Sequence, residues 1–425
     1  MEDLNLLISG PPIHIIDQIE MPKISVYHLD NGIPVYEIDS GTQDVVKIEF
    51  IHLGGRLNEE KRLTSRATVH MVKESSRAFT QKELAEYIDF YGASLVSDFS
   101  MDHTSITLHT LGKYLDLTMA ALADVVFFPK FSDDELMQYK ERNINNLAID
   151  LQKNDILAYR EFTDRIFGRE HVYGFNSTPE MYKDLTLEDI ENHYQNYMGT
   201  ANAVIVVSGK ISDERRKLIN ESLGQIRRNS KIGIYQNCNI PCDRKTFSIK
   251  GKGDFQNSII LGRRLFTRSH SEYPAMVVLN TVLGGYFGSR LMKRLREDLG
   301  YTYEISSQLD MMRNDGFFYI STDVDPENTV DCIRVIYEEI DRIAREPISD
   351  EERKMVINYI MGNMVNMLDG PFKVARWVNS LITSGQSLME GHQILNALSR
   401  VDQYQIQVLA EKYLRKENLM ELVVY

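Results

Sequence analysis

One order of segments occurs twice in this chain of 425 residues. In the first copy, strand-like runs at 24–29, 33–36 and 45–51 precede helical patterns over 64–76 and 81–91, the latter ended by Gly92. Strands are expected over 93–99 and 104–110, then a helix over 114–126. Ser132-Asp133-Asp134-Glu135, an N-cap followed by acids, opens a very long helix over 133–166. A helix over 186–198 and a strand over 203–208 close the copy. The second copy reads as a strand over 248–261 and helices over 273–283 and 289–298, ended by Gly300. Strands over 303–308 and 317–324 and a helix over 327–344 follow. Ser349-Asp350-Glu351-Glu352 then caps another long helix. Gly300 follows Gly92 by 208 residues and Ser349 follows Ser132 by 217. The near-constant offset marks an internal duplication. The expected class is α+β: two homologous halves, 1–226 and 247–425, each a mostly antiparallel sheet with helices packed on one face. A polar linker over 227–246 joins them.

Composition narrows the function. The net charge of −13 argues against nucleic acid and anionic membrane as partners. No apolar run approaches the roughly 18 residues of a membrane span, and Met1-Glu2-Asp3-Leu4 lacks the basic start of a signal peptide. A cytoplasmic location is expected. Three cysteines, Cys238, Cys242 and Cys332, make no disulfide framework. The lone pair Cys238 and Cys242 is half of a structural zinc site and reads as two reduced thiols. His103 and His109, an even number of residues apart, are expected to share an exposed sheet face.

The chemistry-bearing stretch is Thr68-Val69-His70-Met71-Val72-Lys73-Glu74-Ser75. On a helix, His70 and Glu74 would share one face, the spacing by which helices present two metal ligands. The inverzincin order is His, two spacers, Glu, His; here it reads His70, two spacers, Lys73, Glu74. Elsewhere in the chain stand Leu29-Asp30-Asn31-Gly32, Gly54-Gly55-Arg56-Leu57, His171-Val172-Tyr173-Gly174 and the stretch from Leu295 to Tyr303. Together these resemble the pitrilysin/insulinase family of inverzincin zinc peptidases, over about 24–425.

The resemblance implies a clam-like architecture, of which this chain would form one half of the chamber. It also implies roles. His70 matches the first zinc ligand, Lys73 stands at the general base, Glu74 at the second histidine, and Asp150 falls where a third ligand belongs. A protonated lysine cannot accept a proton from metal-bound water. Lys73 is expected to fill the metal position and pair with Asp150 or Glu74, so no metal is expected in this chain. Arg296 and Tyr303 match the family's arginine–tyrosine pair, which holds the substrate and the oxyanion of the tetrahedral intermediate; Tyr301 is the rival tyrosine. Gly284-Gly285 and Gly288 belong to the same resemblance and are not read as a nucleotide loop.

The resemblance therefore implies a subunit inactive alone. It would pair with a homologous zinc-bearing subunit, or with a second copy of itself, and complete a site that cleaves unfolded peptides. The alternative is a non-catalytic scaffold or peptide-binding pseudopeptidase. A third reading, independent hydrolysis through His70, Glu74 and Asp150, suffers from the poor base at Lys73.

Overall fold

A computed structural model describes residues 19–236, 246–252 and 255–425. Cys238 and Cys242 lie outside them; Cys332 is a free, buried thiol.

The first half is built on six strands: β1 (Ser25–His28), β2 (Pro34–Asp39), β3 (Val45–Leu53), β4 (Ser94–Phe99), β5 (His103–Leu111) and β6 (Ala203–Gly209). Their order is β1-β2-β6-β3-β5-β4. Only β2 and β6 run parallel; the other pairs are antiparallel. Ile48 of β3 sits opposite Leu108 on one side and Val207 on the other. Alternation sends Val46, Ile48 and Phe50 to one face and Ile51 to the other. Against the first face pack α1 (Thr64–Val72), α2 (Gln81–Phe90) and α3 (Leu115–Phe127), through Val69, Val72, Leu84, Ile88, Met119 and Leu122. α4 (Asp133–Asp150), α5 (Asn154–Phe167), α6 (Leu187–Tyr197) and α7 (Asp213–Leu223) complete the half.

The second half repeats the plan with five strands: β7 (Thr246–Ile249), β8 (Asn257–Leu265), β9 (Ile305–Met311), β10 (Gly316–Val324) and β11 (Met420–Val424). The order is β9-β10-β8-β11-β7. α8 (Tyr273–Leu283), α9 (Thr329–Arg345) and α13 (Gln403–Tyr413) cover one face. α10 (Asp350–Met367), α11 (Pro371–Thr383) and α12 (Leu388–Leu398) complete the set.

Each half lends one helix to the other, so both sheets are covered on both faces. α5 of the first half lays Ala158, Phe162, Ile166 and Phe167 on the open face of the second sheet, against Ile260, Phe317 and Leu422. α11 of the second half lays Val374 and Val378 on the open face of the first, in one core with Ile38, Ile51, Val204 and Val206. His109 therefore meets the ring of Phe372 at 6.2 Å, and the face expected to be exposed is covered. The hairpin tips of the two halves also meet. Asp102 accepts hydrogen bonds from the Arg313 backbone N–H, at 2.9 Å, and from the Tyr173 hydroxyl.

Several expected bounds shift. The helix over 133–166 is broken: α4 ends at Asp150 and α5 begins at Asn154, with Lys153 extended (φ −94°, ψ 127°) between them. The break lets α5 leave its own half and reach the second sheet. The strand over 248–261 is two strands, β7 and β8, with Gly251 between them donating its N–H to the Tyr425 carbonyl at 2.7 Å. The helix over 289–298 is wound as a π-helix over Met292–Asp298. Pattern reading left α7, α11, α12, α13 and β11 unassigned.

The two serines that mark the duplication do the same work. Ser132 accepts the Glu135 N–H and Ser349 the Glu352 N–H. Ser349→Ala is expected to lower stability by about 1 kcal/mol in urea unfolding, with an unchanged m-value.

Two buried histidines set an acid limit. His52 and His193 are 4% and 6% exposed. Burial pushes their imidazoles down to about 3 and about 4. The unfolded chain binds protons at these rings near pH 6.5, while in the folded chain His193 resists until about 4 and His52 until about 3. Stability from both rings is therefore expected to fall as pH drops from about 6.5 to about 4, at up to about 1.4 kcal/mol per pH unit for each ring. Denaturant midpoints at pH 7 and pH 5 check this.

Candidate functional site

α1 carries His70. The helix begins after Leu63, a non-glycine residue at φ 71°. The Glu59 carboxylate accepts the N–H groups of Leu63 and Ser65 at 3.1 and 3.2 Å. This satisfies donors that a helix start leaves free. Val69 and Val72 point into the core while His70 faces α4 and β4. Its Nδ1 lies 3.3 Å from the Ser97 hydroxyl on β4, and its ring centre 6.0 Å from that of Tyr139 on α4. Burial, helped by the cations Arg66, Lys73 and Arg142, pushes the imidazole down to about 4. His70 is neutral at ordinary pH.

The helix expected over 64–76 stops at Val72. Lys73 is its C-cap, and Glu74 is in a turn that returns its N–H to the Met71 carbonyl at 3.0 Å. His70 and Glu74 thus are not the paired ligands of one continuous helix face. Lys73 Nζ contacts the Glu74 carboxylate at 3.2 Å, and Gln81 donates to its other oxygen. Of the two partners expected for Lys73, it is Glu74 that the structure brings up. Asp150 stands apart: it is the last residue of α4, and its carboxylate contacts Lys153 at 3.5 Å. The residues of α4 that face His70 are Glu135, Gln138, Tyr139 and Arg142. Asp150 lies eight residues beyond Arg142, about 12 Å along the helix axis. The cleft between α1 and α4 holds about 20 Å³, room for about one water.

These residues do not fit a zinc ion. Tetrahedral zinc needs converging nitrogen, sulfur or carboxylate donors. Here one imidazole faces three cations, the Glu74 carboxylate is engaged by Lys73 and Gln81, that of Glu135 accepts from the Ser75 hydroxyl at 2.8 Å, and Asp150 lies about 12 Å farther along α4 than Arg142. Among the described residues, no group of three or more His, Cys, Asp or Glu is placed to hold a metal. Writing the motif back is expected to be insufficient. The double variant Lys73→Glu, Glu74→His should bind zinc below one ion per chain after dialysis, measured by elemental analysis. Position 74 would still lie past the end of α1, and Arg142 would still face the site.

The four α4 residues were missed in the sequence. Glu135, Gln138, Tyr139 and Arg142 stand at i, i+3, i+4 and i+7, one stripe of a helix. That stripe mixes Tyr with charges, so hydrophobic periodicity does not pick it out.

In the second half, the π-helix ends in a turn across Gly300 (φ +67°), where the Tyr301 N–H reaches the Leu295 carbonyl at 2.9 Å. The Thr302 hydroxyl bonds the Glu304 and Asp323 carbonyls at 2.9 and 2.8 Å and fixes the exit of that turn. The two tyrosines are thereby separated. Tyr301 packs against the core, and Tyr303 is 88% exposed. The Arg296 guanidinium lies over the ring of Phe287, 4.7 Å from its centre. Among the described residues, neither Arg296 nor Tyr303 has a hydrogen-bond or ion-pair partner. The glycines upstream have a packing role: a Cβ on Gly284 would lie 2.7 Å from the Ser307 backbone nitrogen of β9.

The family model "Insulinase (Peptidase family M16)" matches residues 42–160, and "Peptidase M16 inactive domain" matches 184–360. An uncharacterized zinc protease of Mycobacterium leprae is 25% identical over 362 residues, 82% of this chain and 79% of that protein. A non-peptidase homolog, YmxG, of Helicobacter pylori is 22% identical over 321 residues, 72% of this chain and 74% of its own. Among solved structures, a protease from Helicobacter pylori superposes with a TM-score of 0.87 at 15% identity, covering 95% of this chain and 100% of that one. No helix among the described residues is long and apolar enough to cross a membrane. Two models of one family, matching in tandem along the chain, place it in the M16 (insulinase) peptidase family.

Proposed function

We propose that this chain is the zinc-free subunit of a two-subunit peptidase. It closes over a homologous zinc-bearing partner and supplies Arg296 and Tyr303 to the partner's site. The observation that carries this reading is the pair itself. A phenol 88% exposed and a guanidinium held on an aromatic ring stand at the seven-residue spacing of the family's pair. Neither has a partner within the described chain. Such donors suit an oxyanion that forms in another subunit.

The first half supports the same division. His70, Lys73 and Glu74 have lost the donor geometry of a metal site, yet β4 beside them is a sheet edge, paired only with β5 among the described strands. Val96 on β4 is 47% exposed. An unfolded peptide can add to such an edge as a further strand. The match to an M16 inactive domain, and a relative called a non-peptidase homolog, agree with a chain that does not cleave alone.

Purification of the full chain from its native cells, with mass spectrometry of stoichiometric companions, tests the pairing. The expected companion is of similar size and carries an intact H-x-x-E-H. Recovery of the chain alone, or only with a second copy and without peptidase activity, would leave the scaffold or peptide-binding role.

A further inference from the structure

The second half contains a cavity of about 440 Å³ between α8, the end of α10, α11 and α12. It shares no lining residue with the cleft at His70, and neither Arg296 nor Tyr303 lines it. Its size falls in the range of small-molecule sites, roughly 300–1,000 Å³. The wall is apolar, formed by Val277, Met364, Trp377, Leu381, Leu395 and Leu398. Gly391 shapes it: a Cβ there would lie 2.5 Å from Leu381 and 3.0 Å from Trp377, so glycine lets α12 close on α11.

The charged groups are all of one sign. Arg268, Lys373 and Arg376 line the cavity, and no carboxylate does. Lys373 donates to the Asn366 side-chain oxygen at 2.6 Å. The Nε of Arg268 is buried and finds no acceptor among the described residues. Gln386 is 6% exposed, lines the cavity, and its buried amide oxygen likewise has no partner. Buried polar groups in folded proteins are almost always satisfied. The unpartnered Arg268 Nε is a donor and asks for an anionic acceptor, whereas the Gln386 oxygen is itself an acceptor and makes no bond with a carboxylate.

We propose that this cavity binds an amphipathic monoanion of the fatty-acid class. Its alkyl chain lies along Trp377, Leu381 and Leu395, and its carboxylate accepts from Arg268 within the field of Lys373 and Arg376. The carboxylate meets the guanidinium fork with matching geometry. A cationic amphiphile would be repelled by three like charges. A peptide would bring backbone N–H and C=O groups that an apolar wall cannot satisfy.

Titration calorimetry of the full chain with dodecanoate, below its micelle concentration, tests this. Acetate and dodecyltrimethylammonium are run alongside. Saturable binding of one dodecanoate per chain is expected, with none of the two controls. Arg268→Gln should weaken dodecanoate by about tenfold or more, the effect of losing one charge-assisted hydrogen bond. Ile394→Trp, at a half-buried position on the wall, should abolish binding by filling the space. Both variants should keep the thermal midpoint of the unliganded chain. The proposal is overturned if dodecanoate does not saturate, if the cationic amphiphile binds as well, or if both variants keep full affinity. Saturable binding of an acidic, apolar peptide with none of dodecanoate would also overturn it and make the cavity a protein-docking site.

Discussion

Tyr303→Phe is expected to lower kcat of the two-subunit enzyme by about 10²–10³, the effect of removing one oxyanion donor, while leaving the amount of complex unchanged. The substitution deletes one hydroxyl that has no hydrogen-bond partner among the described residues, so stability is expected to stay unchanged. Tyr303 is 88% exposed, whereas Tyr301 is packed into the core. Tyr301→Phe is therefore the control, expected to leave turnover within about twofold, since it stands outside the proposed oxyanion contact. Arg296→Ala should act partly through KM, because a guanidinium that holds the substrate contributes to the ground state as well as the transition state. Steady-state kinetics on complexes of matched stoichiometry read all three. Unchanged turnover in both Tyr303→Phe and Arg296→Ala would remove the proposed site and leave a scaffold.

The largest effect on stability is expected at Phe162. Its ring is fully buried on α5, and it packs across the halves, 6.0 Å from the ring of Phe317. A Cβ on Gly262 of β8 would lie 2.6 Å from the Phe162 ring, so glycine makes room for it. Phe162→Ala should cost about 3–5 kcal/mol, the transfer term plus the cavity left behind. Because α5 joins the first half to the sheet of the second, the loss should appear as earlier unfolding of the second half. Hydrogen exchange resolved by segment would show β8 and β11 losing protection before β3 and β5. Uniform loss across both sheets would mean that the two halves unfold as one unit.

What could be read from residues alone followed local rules. Ser132 and Ser349 are N-caps because their hydroxyls accept from residues three ahead, and Gly92 and Gly300 take positive φ at element ends. Tyr273–Leu283 was read with the bounds observed because an apolar run and the Gly284-Gly285 break after it mark it. The arrangement near His70 was only partly legible. His70, Lys73 and Glu74 are neighbours in sequence, so their proximity needed no fold. Placing Asp150 with them relied on an interval along the chain, and α4 instead turns Glu135, Gln138, Tyr139 and Arg142 toward His70.

The sequence by itself determined the duplication, the α+β class, most element positions and the order His70, two spacers, Lys73, Glu74, because each depends on spacings along the chain. Tertiary structure alone decided the exchange of α5 and α11 between halves, the break at Lys153, the partners of His70 and the exposure of Tyr303. Those depend on which faces of distant elements meet. Hydrophobic periodicity shows that a face must be buried, but not against what: the apolar face of α5 reads the same whether it covers its own sheet or the other.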